Sequence, residues 1–260
     1  MSTMAQPRKW EYVFWPLFAT AIFIAFWHYT VVWTATKIFP SPLEVERGFA
    51  ELTHKGVLYH DIVDSLRRVA VGYLAAVAIG IPLGLMLGWY PAVNQIVNPV
   101  VQILRPISPI AWIPLAIIFF GVGDYAAIFL VFLGAFFPIV VTCVAAVSNV
   151  PLIYRRAGRN FGLTPARILS RVVFPAALPQ ILVSLRVALG IGWLVVVAGE
   201  MIAVTSGLGF LIIDSRNSGK RYDLVVGAMI LIGVIGLVLD TLFRQIEKIK
   251  SVRWGFRDES

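Results

Sequence analysis

The 260-residue sequence predicts an all-α membrane protein with six transmembrane helices. Composition is the first reason: 59% of the residues are hydrophobic and 14% charged, far more apolar than a soluble domain of this length. The second is a set of six apolar runs, at about 13–33, 69–88, 98–120, 124–146, 183–204 and 224–243, each near the roughly 20 residues that cross about 30 Å of hydrocarbon. No run alternates apolar and polar residues as a barrel strand does, and open sheet edges have no partners in lipid, so the spans are helices. No linker rich in Ser, Gly or Pro divides the chain and no internal repeat stands out. Residues 1–260 therefore read as one transmembrane domain.

The first run follows Arg8 and Lys9, is too long for the apolar stretch of a signal peptide and lacks a small-residue cleavage site, so it reads as a retained span. The outer segment 41–64 opens on Ser41-Pro42, a helix-start signal of cap plus first-turn proline. Its Leu43, Val45, Phe49 and Leu52 predict an amphipathic helix at the membrane surface. In the second run Gly72, Ala76, Gly80, Gly84 and Gly88 place a small residue at every fourth position, where another helix can approach backbone to backbone. That approach fits a tight contact within the chain, or else a subunit or sliding interface.

The third run carries Pro99, Pro106, Pro109 and Pro114 around Trp112. Interior prolines remove helix hydrogen bonds, and broken backbone at membrane depth is tolerated where it lines a wet cavity. Pro109, Trp112 and Pro114 are accordingly candidate pathway-lining residues. The other reading is a surface helix at 98–106, with Arg105 at the interface, followed by an ordinary span. The lone cysteine, Cys143, lies in the fourth run and allows no intramolecular disulfide.

Lys and Arg in the loops set the orientation. Arg8 and Lys9, then Arg155, Arg156, Arg159, Arg167 and Arg171, then Arg244, Lys248, Lys250, Arg253 and Arg257 fall on one side. On the other side, Lys37, Arg47, Lys55, Arg67 and Arg68 are balanced by Glu44, Glu46, Glu51, Asp61 and Asp64. Both termini and the loop between the fourth and fifth spans are therefore expected in the cytoplasm. The net charge of +8 sits mostly at span ends, which argues against nucleic acid as a partner.

Catalysis finds little support in the chain. His60 and Asp64, one helical turn apart near Asp61, could ligate a metal or simply face solvent, and no nucleophile–base or zinc-like spacing lies within the spans. The only Gly-Lys pair, Gly219-Lys220, is followed by Arg221 and has Asp214 where a phosphate-cradling loop needs glycine. An active transporter of this kind draws on an ion gradient or on another subunit. Ionisable residues within the spans are few: Glu200 near the outer end of the fifth, Arg186 and Asp240 near inner ends. Glu200 fits either a pathway residue or a structural cap on the outer loop, while Arg105 and Arg186 are candidates to attract an anion or to anchor span ends.

The segment 151–180 is an arginine-rich, acid-free loop. It predicts two short helices broken at Gly162 and stopped by Pro175, more structure than a simple connection needs. Ala157, Gly162 and Pro175, with Val172-Val173-Phe174-Pro175 closing the segment, resemble the EAA loop of inner-membrane permeases of binding-protein-dependent ABC importers. Pro40-Ser41-Pro42, Ser65-Leu66-Arg67-Arg68, Gly80-Ile81-Pro82-Leu83-Gly84, Arg105-Pro106, Ala111-Trp112-Ile113-Pro114-Leu115 and Gly199-Glu200-Met201 followed by Gly207-Leu208-Gly209 resemble the branch serving nitrate, bicarbonate, sulfonates and taurine. The likeness covers residues from about 40 to 250. Two departures stand out, Arg156 in place of the motif glutamate and Gly158 in place of the second alanine.

The resemblance implies a type I ABC importer permease-like fold with a cytoplasmic coupling loop in a bacterial inner membrane. It implies a permease pair, most simply a homodimer, two cytoplasmic subunits that bind ATP and Mg, and an extracytoplasmic binding protein that delivers a small anion. The chain itself would hold no cofactor and hydrolyse no ATP. Residues from about Arg159 to Arg167 would form the coupling helix. The coupling set is then Arg156, Ala157, Arg159, Phe161, Gly162, Leu163, Thr164, Pro165, Arg167 and Pro175. The competing class is a stand-alone secondary transporter or channel, whose buried midplane charges are nearly absent here.

Overall fold

The computed structural model describes residues 11–34, 39–54 and 56–247, and every described element is helical. The orientation charges Arg8, Lys9, Lys37, Lys55, Lys248, Lys250, Arg253 and Arg257 lie outside the described residues. Five helices are long and apolar enough to cross a membrane, and a bent pair makes a sixth if it counts as one span.

The first helix, α1 (Glu11–Thr34), is apolar on every side and exposed along most of its length. Trp27 fastens its end, donating Nε1–H to the Pro40 carbonyl at 3.1 Å. Next, α2 (Pro42–His54) starts with a capping box: Glu44 Oε2 accepts the Ser41 backbone N–H at 2.6 Å, and Ser41 Oγ sits 3.4 Å from the Glu44 N–H. Its inward face is Val45, Gly48 and Leu52, while Leu43 points outward, contrary to expectation. The reason is that α2 leans on the start of α11 (Tyr222–Glu247), where a Cβ on Gly48 would lie 2.8 Å from Leu224.

Helix α3 (Val57–Trp89) begins well before the apolar run that marks it. At about 1.5 Å per residue its 33 residues reach about 50 Å, longer than the hydrocarbon is thick. Charged residues at its N-terminal end find partners, described below, that let the helix continue. Its small-residue stripe packs within the chain, on α6 (Asp124–Ser148). A Cβ at Gly72 would lie 2.7 Å from the Ile128 carbonyl, one at Gly88 2.7 Å from Val147, and one at Gly84 would overlap the Cβ of Cys143. Backbones this close gain dispersion contacts that apolar bulk cannot supply in lipid.

The third apolar run does not form a continuous span. It divides into α4 (Pro91–Leu104) and a 3₁₀ turn (Pro109–Trp112) that leads into α5 (Ile113–Phe120), and the two arms meet at 86°. Pro106 and Pro109 account for the break, since neither can donate to the preceding turn and each biases the residue before it away from helix. Beyond α6 the chain forms α7 (Leu152–Asn160), α8 (Pro165–Ile168) and α9 (Phe174–Ala203), with α10 (Leu208–Gly219) leading to α11. Helix α9 packs on α6 and α3 around Ala135, Ile139, Val173, Ile181 and Ala188, all fully or nearly fully buried.

Candidate functional site

Three groups of residues are candidates: the loop at α7–α8, the broken third run, and the charges at the N-terminal end of α3 and the C-terminal end of α9. Helix α7 follows α6 after a proline, Pro151. Its C-terminus closes by a Schellman motif: Gly162, with φ of 72°, donates to the Arg159 carbonyl at 2.9 Å, and Leu163 donates to the Gly158 carbonyl at 3.1 Å. A residue with a Cβ is strained in that left-handed conformation. The chain then re-enters helix at Thr164, with Pro165 in the first position. Gly158 is buried against Ile168, where an added Cβ would sit 3.2 Å from Cγ1, so glycine there lets α7 and α8 close on each other.

The turn at Gly162 falls where the sequence placed it, so Arg159 to Arg167 span the end of α7, the turn and the start of α8 rather than one continuous helix. One expectation for this loop needs correction: Pro175 does not stop the second helix. A π turn at Leu169–Val173 precedes it, with Phe174 donating to Leu169 five residues back, and helix runs on into α9. The extra residue in that turn moves the backbone aside where a proline ring would meet the carbonyl four residues earlier.

Arg156, Arg159, Phe161, Gly162, Thr164, Pro165 and Arg167 are exposed, while Ala157, Leu163 and Pro175 are half-buried. Leu152, Ile153 and Tyr154 add exposed apolar surface to α7, and Phe161 is 85% exposed. Among the described residues neither Arg156 nor Arg159 has an ion pair. The loop thus presents an apolar and basic surface on a rigid turn, suited to a partner with an apolar groove and acidic rim.

At the opposite end of α9, Glu200 is completely buried and Arg68 is 1% exposed. Arg68 Nη1 donates to Glu200 Oε1 at 2.6 Å and to the Ser206 carbonyl at 2.8 Å, and its Nε donates to Asp124 at 2.8 Å. Ser65 Oγ lies 2.8 Å from both Glu200 oxygens. Three successive amides at the start of α10 are bound in turn: Gly207 by Asp61 at 2.9 Å, Leu208 by Ser65 at 3.0 Å, and Gly209 by Glu200 at 3.0 Å. These are the orphan donors of a helix N-terminus, and two carboxylates and a hydroxyl satisfy them. The knot joins α3, α6, α9 and α10, and it unites two segments flagged separately in the sequence, Ser65 to Arg68 and Gly199 to Gly209. Glu200 is enclosed within one chain and offers no surface to a passing solute, so the cap on the outer loop is the reading its geometry fits.

Trp112 is half-buried and packs on Ile113, Ala116, Ala126 and Leu130, Pro109 is half-buried near Gly134, and Pro114 is exposed. Arg105, at the bend, is exposed and has no ion pair among the described residues, whereas Arg186 is held by Asp240 at 2.5 and 3.0 Å. No group of three or more metal-ligating side chains occurs among the described residues, and His60 Nδ1 lies 3.6 Å from Asp64.

Sequence reasoning missed Asp124 as a partner and counted Arg68 among surface charges. One signal was available: Asp61, Ser65 and Arg68 fall at i, i+4 and i+7, a polar stripe on one face of α3. Arg155 was likewise read only for orientation, yet its guanidinium stands 5.3 Å over the indole of Trp89.

An all-helical membrane bundle with a structured basic loop between two of its spans defines a class, the transmembrane subunits of solute transport systems. Residues 80–251, more than half of the chain, match the family described as "Binding-protein-dependent transport system inner membrane component". The chain belongs to that family and is an ABC transporter permease subunit, a multi-pass membrane protein of the transport apparatus. It is 36% identical to the taurine transport system permease protein of Escherichia coli, over 78% of this chain and 72% of that one. To the nitrate import permease protein of a Synechocystis strain it is 34% identical, over 90% and 88%. To the bicarbonate transport system permease protein of Synechococcus elongatus it is 36% identical, over 78% and 71%. The fold is similar to that of a chain in an inward-facing structure of the MetNI methionine ABC transporter, with a TM-score of 0.67, 22% identity, and coverage of 79% of this chain and 99% of that one.

Proposed function

We propose that this permease works as a homodimer. Two cytoplasmic ATPase subunits would grip the α7–α8 loops, and an extracytoplasmic binding protein would deliver a small anion of the nitrate, bicarbonate or sulfonate type. The observation that carries this reading is the Gly162 turn, which closes α7 onto α8 and leaves an apolar and basic surface exposed. ATP and Mg would bind in the partner, and both termini would face the cytoplasm. Closure of the ATPases would displace the loops and tilt the spans between inward-open and outward-open states.

The substrate class rests on the relatives named for taurine, nitrate and bicarbonate, all of which present anionic oxygens. Arg105, exposed at the bend beside the proline-broken segment, is a cation that this chain can offer such a solute. Purification of the tagged chain from its native membranes in mild detergent tests the assembly. A soluble ATPase in equal stoichiometry is the expected result; a chain recovered alone in several detergents would favour a secondary transporter. Arg105→Gln should lower uptake of the anion by more than it lowers recovery of the assembled complex, and equal losses would make Arg105 an anchor only.

A further inference from the structure

Arg155 occupies a different position from the other loop arginines. It projects from α7 back toward the membrane domain and is half-buried, while Arg156 and Arg159 beside it are exposed. Its Nη2 donates to the Val147 carbonyl at 2.6 Å, in the last turn of α6, an oxygen that also accepts the Val150 N–H at 3.3 Å. The same guanidinium lies over the ring of Trp89, the last residue of α3, 5.3 Å from the centroid. One side chain thus touches the ends of two spans, both of which belong to the tightly packed α3–α6 pair. A guanidinium suits this role because its planar fork can bond a carbonyl in its plane and stack an aromatic ring on its face at once.

We propose that Arg155 is a positioning residue that ties α7 to the ends of α3 and α6, so that a displacement of the loop reaches both spans together. The inference rests on the reading of α7–α8 as the ATPase-coupling loop. Without the tie, α7 remains joined to α6 through Asn149, Val150 and Pro151, with Val150 buried in the core. With it, a displacement of α7 is passed to the α3 end as well. The neighbouring contact of Gly158 with Ile168 links α7 to α8, whereas that of Arg155 with Trp89 links it to the second span.

The test uses the full complex with its ATPase subunits in nanodiscs. Cys143, the only native cysteine, is fully buried, so spin labels on Tyr90→Cys and Ile153→Cys, both exposed positions, report the α3–α7 distance without background. In the otherwise native chain that distance should stay the same between the nucleotide-free and ATP-trapped states. In Arg155→Ala the ATP-dependent movement should separate the labels by an amount approaching a helical turn, about 5 Å. Trp89→Leu should produce the same nucleotide-dependent separation by removing the other half of the contact.

A distance that changes with nucleotide in the native chain, or one that stays constant in both variants, overturns the proposal. So does loss of the ATPase from Arg155→Ala, which would make the residue a docking contact. Failure of the ATPase to accompany even the native chain would instead refute the coupling-loop reading, and the inference with it.

Discussion

Replacing Glu200 with glutamine tests what the knot around Arg68 does, because the exchange keeps the shape and removes only charge and one acceptor. The carboxylate takes hydrogen bonds from Arg68, Ser65 and the Gly209 amide. An amide must place its NH₂ at one of the two oxygen positions. There it meets either the Arg68 guanidinium or the Gly209 N–H, and two donors face each other. One charge-assisted bond, worth about 1.5–3 kcal/mol, is lost outright. Arg68 keeps Asp124 at 2.8 Å, which holds the cost below the roughly 3–5 kcal/mol of a buried pair stripped of one partner. The expected loss is therefore about 2–4 kcal/mol, and at roughly 2–4 °C per kcal/mol for a chain of this size the apparent Tm should fall by about 4–16 °C. Fluorescence-monitored unfolding of the chain in detergent measures it. An unchanged Tm together with a raised KM for uptake would refute the structural role and return Glu200 to the pathway wall.

Other consequences follow from the same geometry. Gly84→Leu cannot fit against Cys143, so α3 and α6 must part; overpacking typically costs about 1–3 kcal/mol, and Cys143 should become reactive to maleimide, which an intact seam would prevent. Gly162→Pro replaces a φ of 72° by one near −65° and deletes the N–H that closes α7. It should leave the protein inserted but abolish solute-stimulated ATP hydrolysis, and normal coupling in that variant would sink the assignment of the loop. The backbone N–H of Ser41, then its hydroxyl, hold the Glu44 carboxyl below its usual value of 4.5. Because the folded value is the lower one, this contribution to α2 is complete above that pH and disappears as the pH falls through the folded value. Hydrogen exchange at the first turn of α2 should quicken on acidification, and Glu44→Gln should remove the pH dependence.

The helical class, the family and the place of the structured basic loop were legible in the sequence because each depends on local chemistry. Transfer from water to lipid acts residue by residue, so runs of apolar side chains mark helices before any packing is known. Gly162 and Thr164-Pro165 speak through backbone conformation, which is equally local. Where local rules compete, the sequence was ambiguous. Pro175 carries a stop signal, yet a π turn passes the helix around it, and the choice depends on whether Val173 and Ala177 can stay buried against the α6 core. The 86° bend at residues 105–108 and the early start of α3 likewise depend on what surrounds them.

Only the tertiary structure decided the partners of the charged residues. Ser65 and Glu200 stand 135 positions apart, and Asp61 and Gly207 146, so no pattern in either segment specifies the meeting. Close packing of α3 on α6 and α9 brings them together, and burial then makes each unmatched charge too costly to leave alone. Sequence alone therefore determined what kind of protein this is. Packing determined that Glu200 closes a knot, that Arg186 is already paired with Asp240, and that Arg155 reaches two span ends at once.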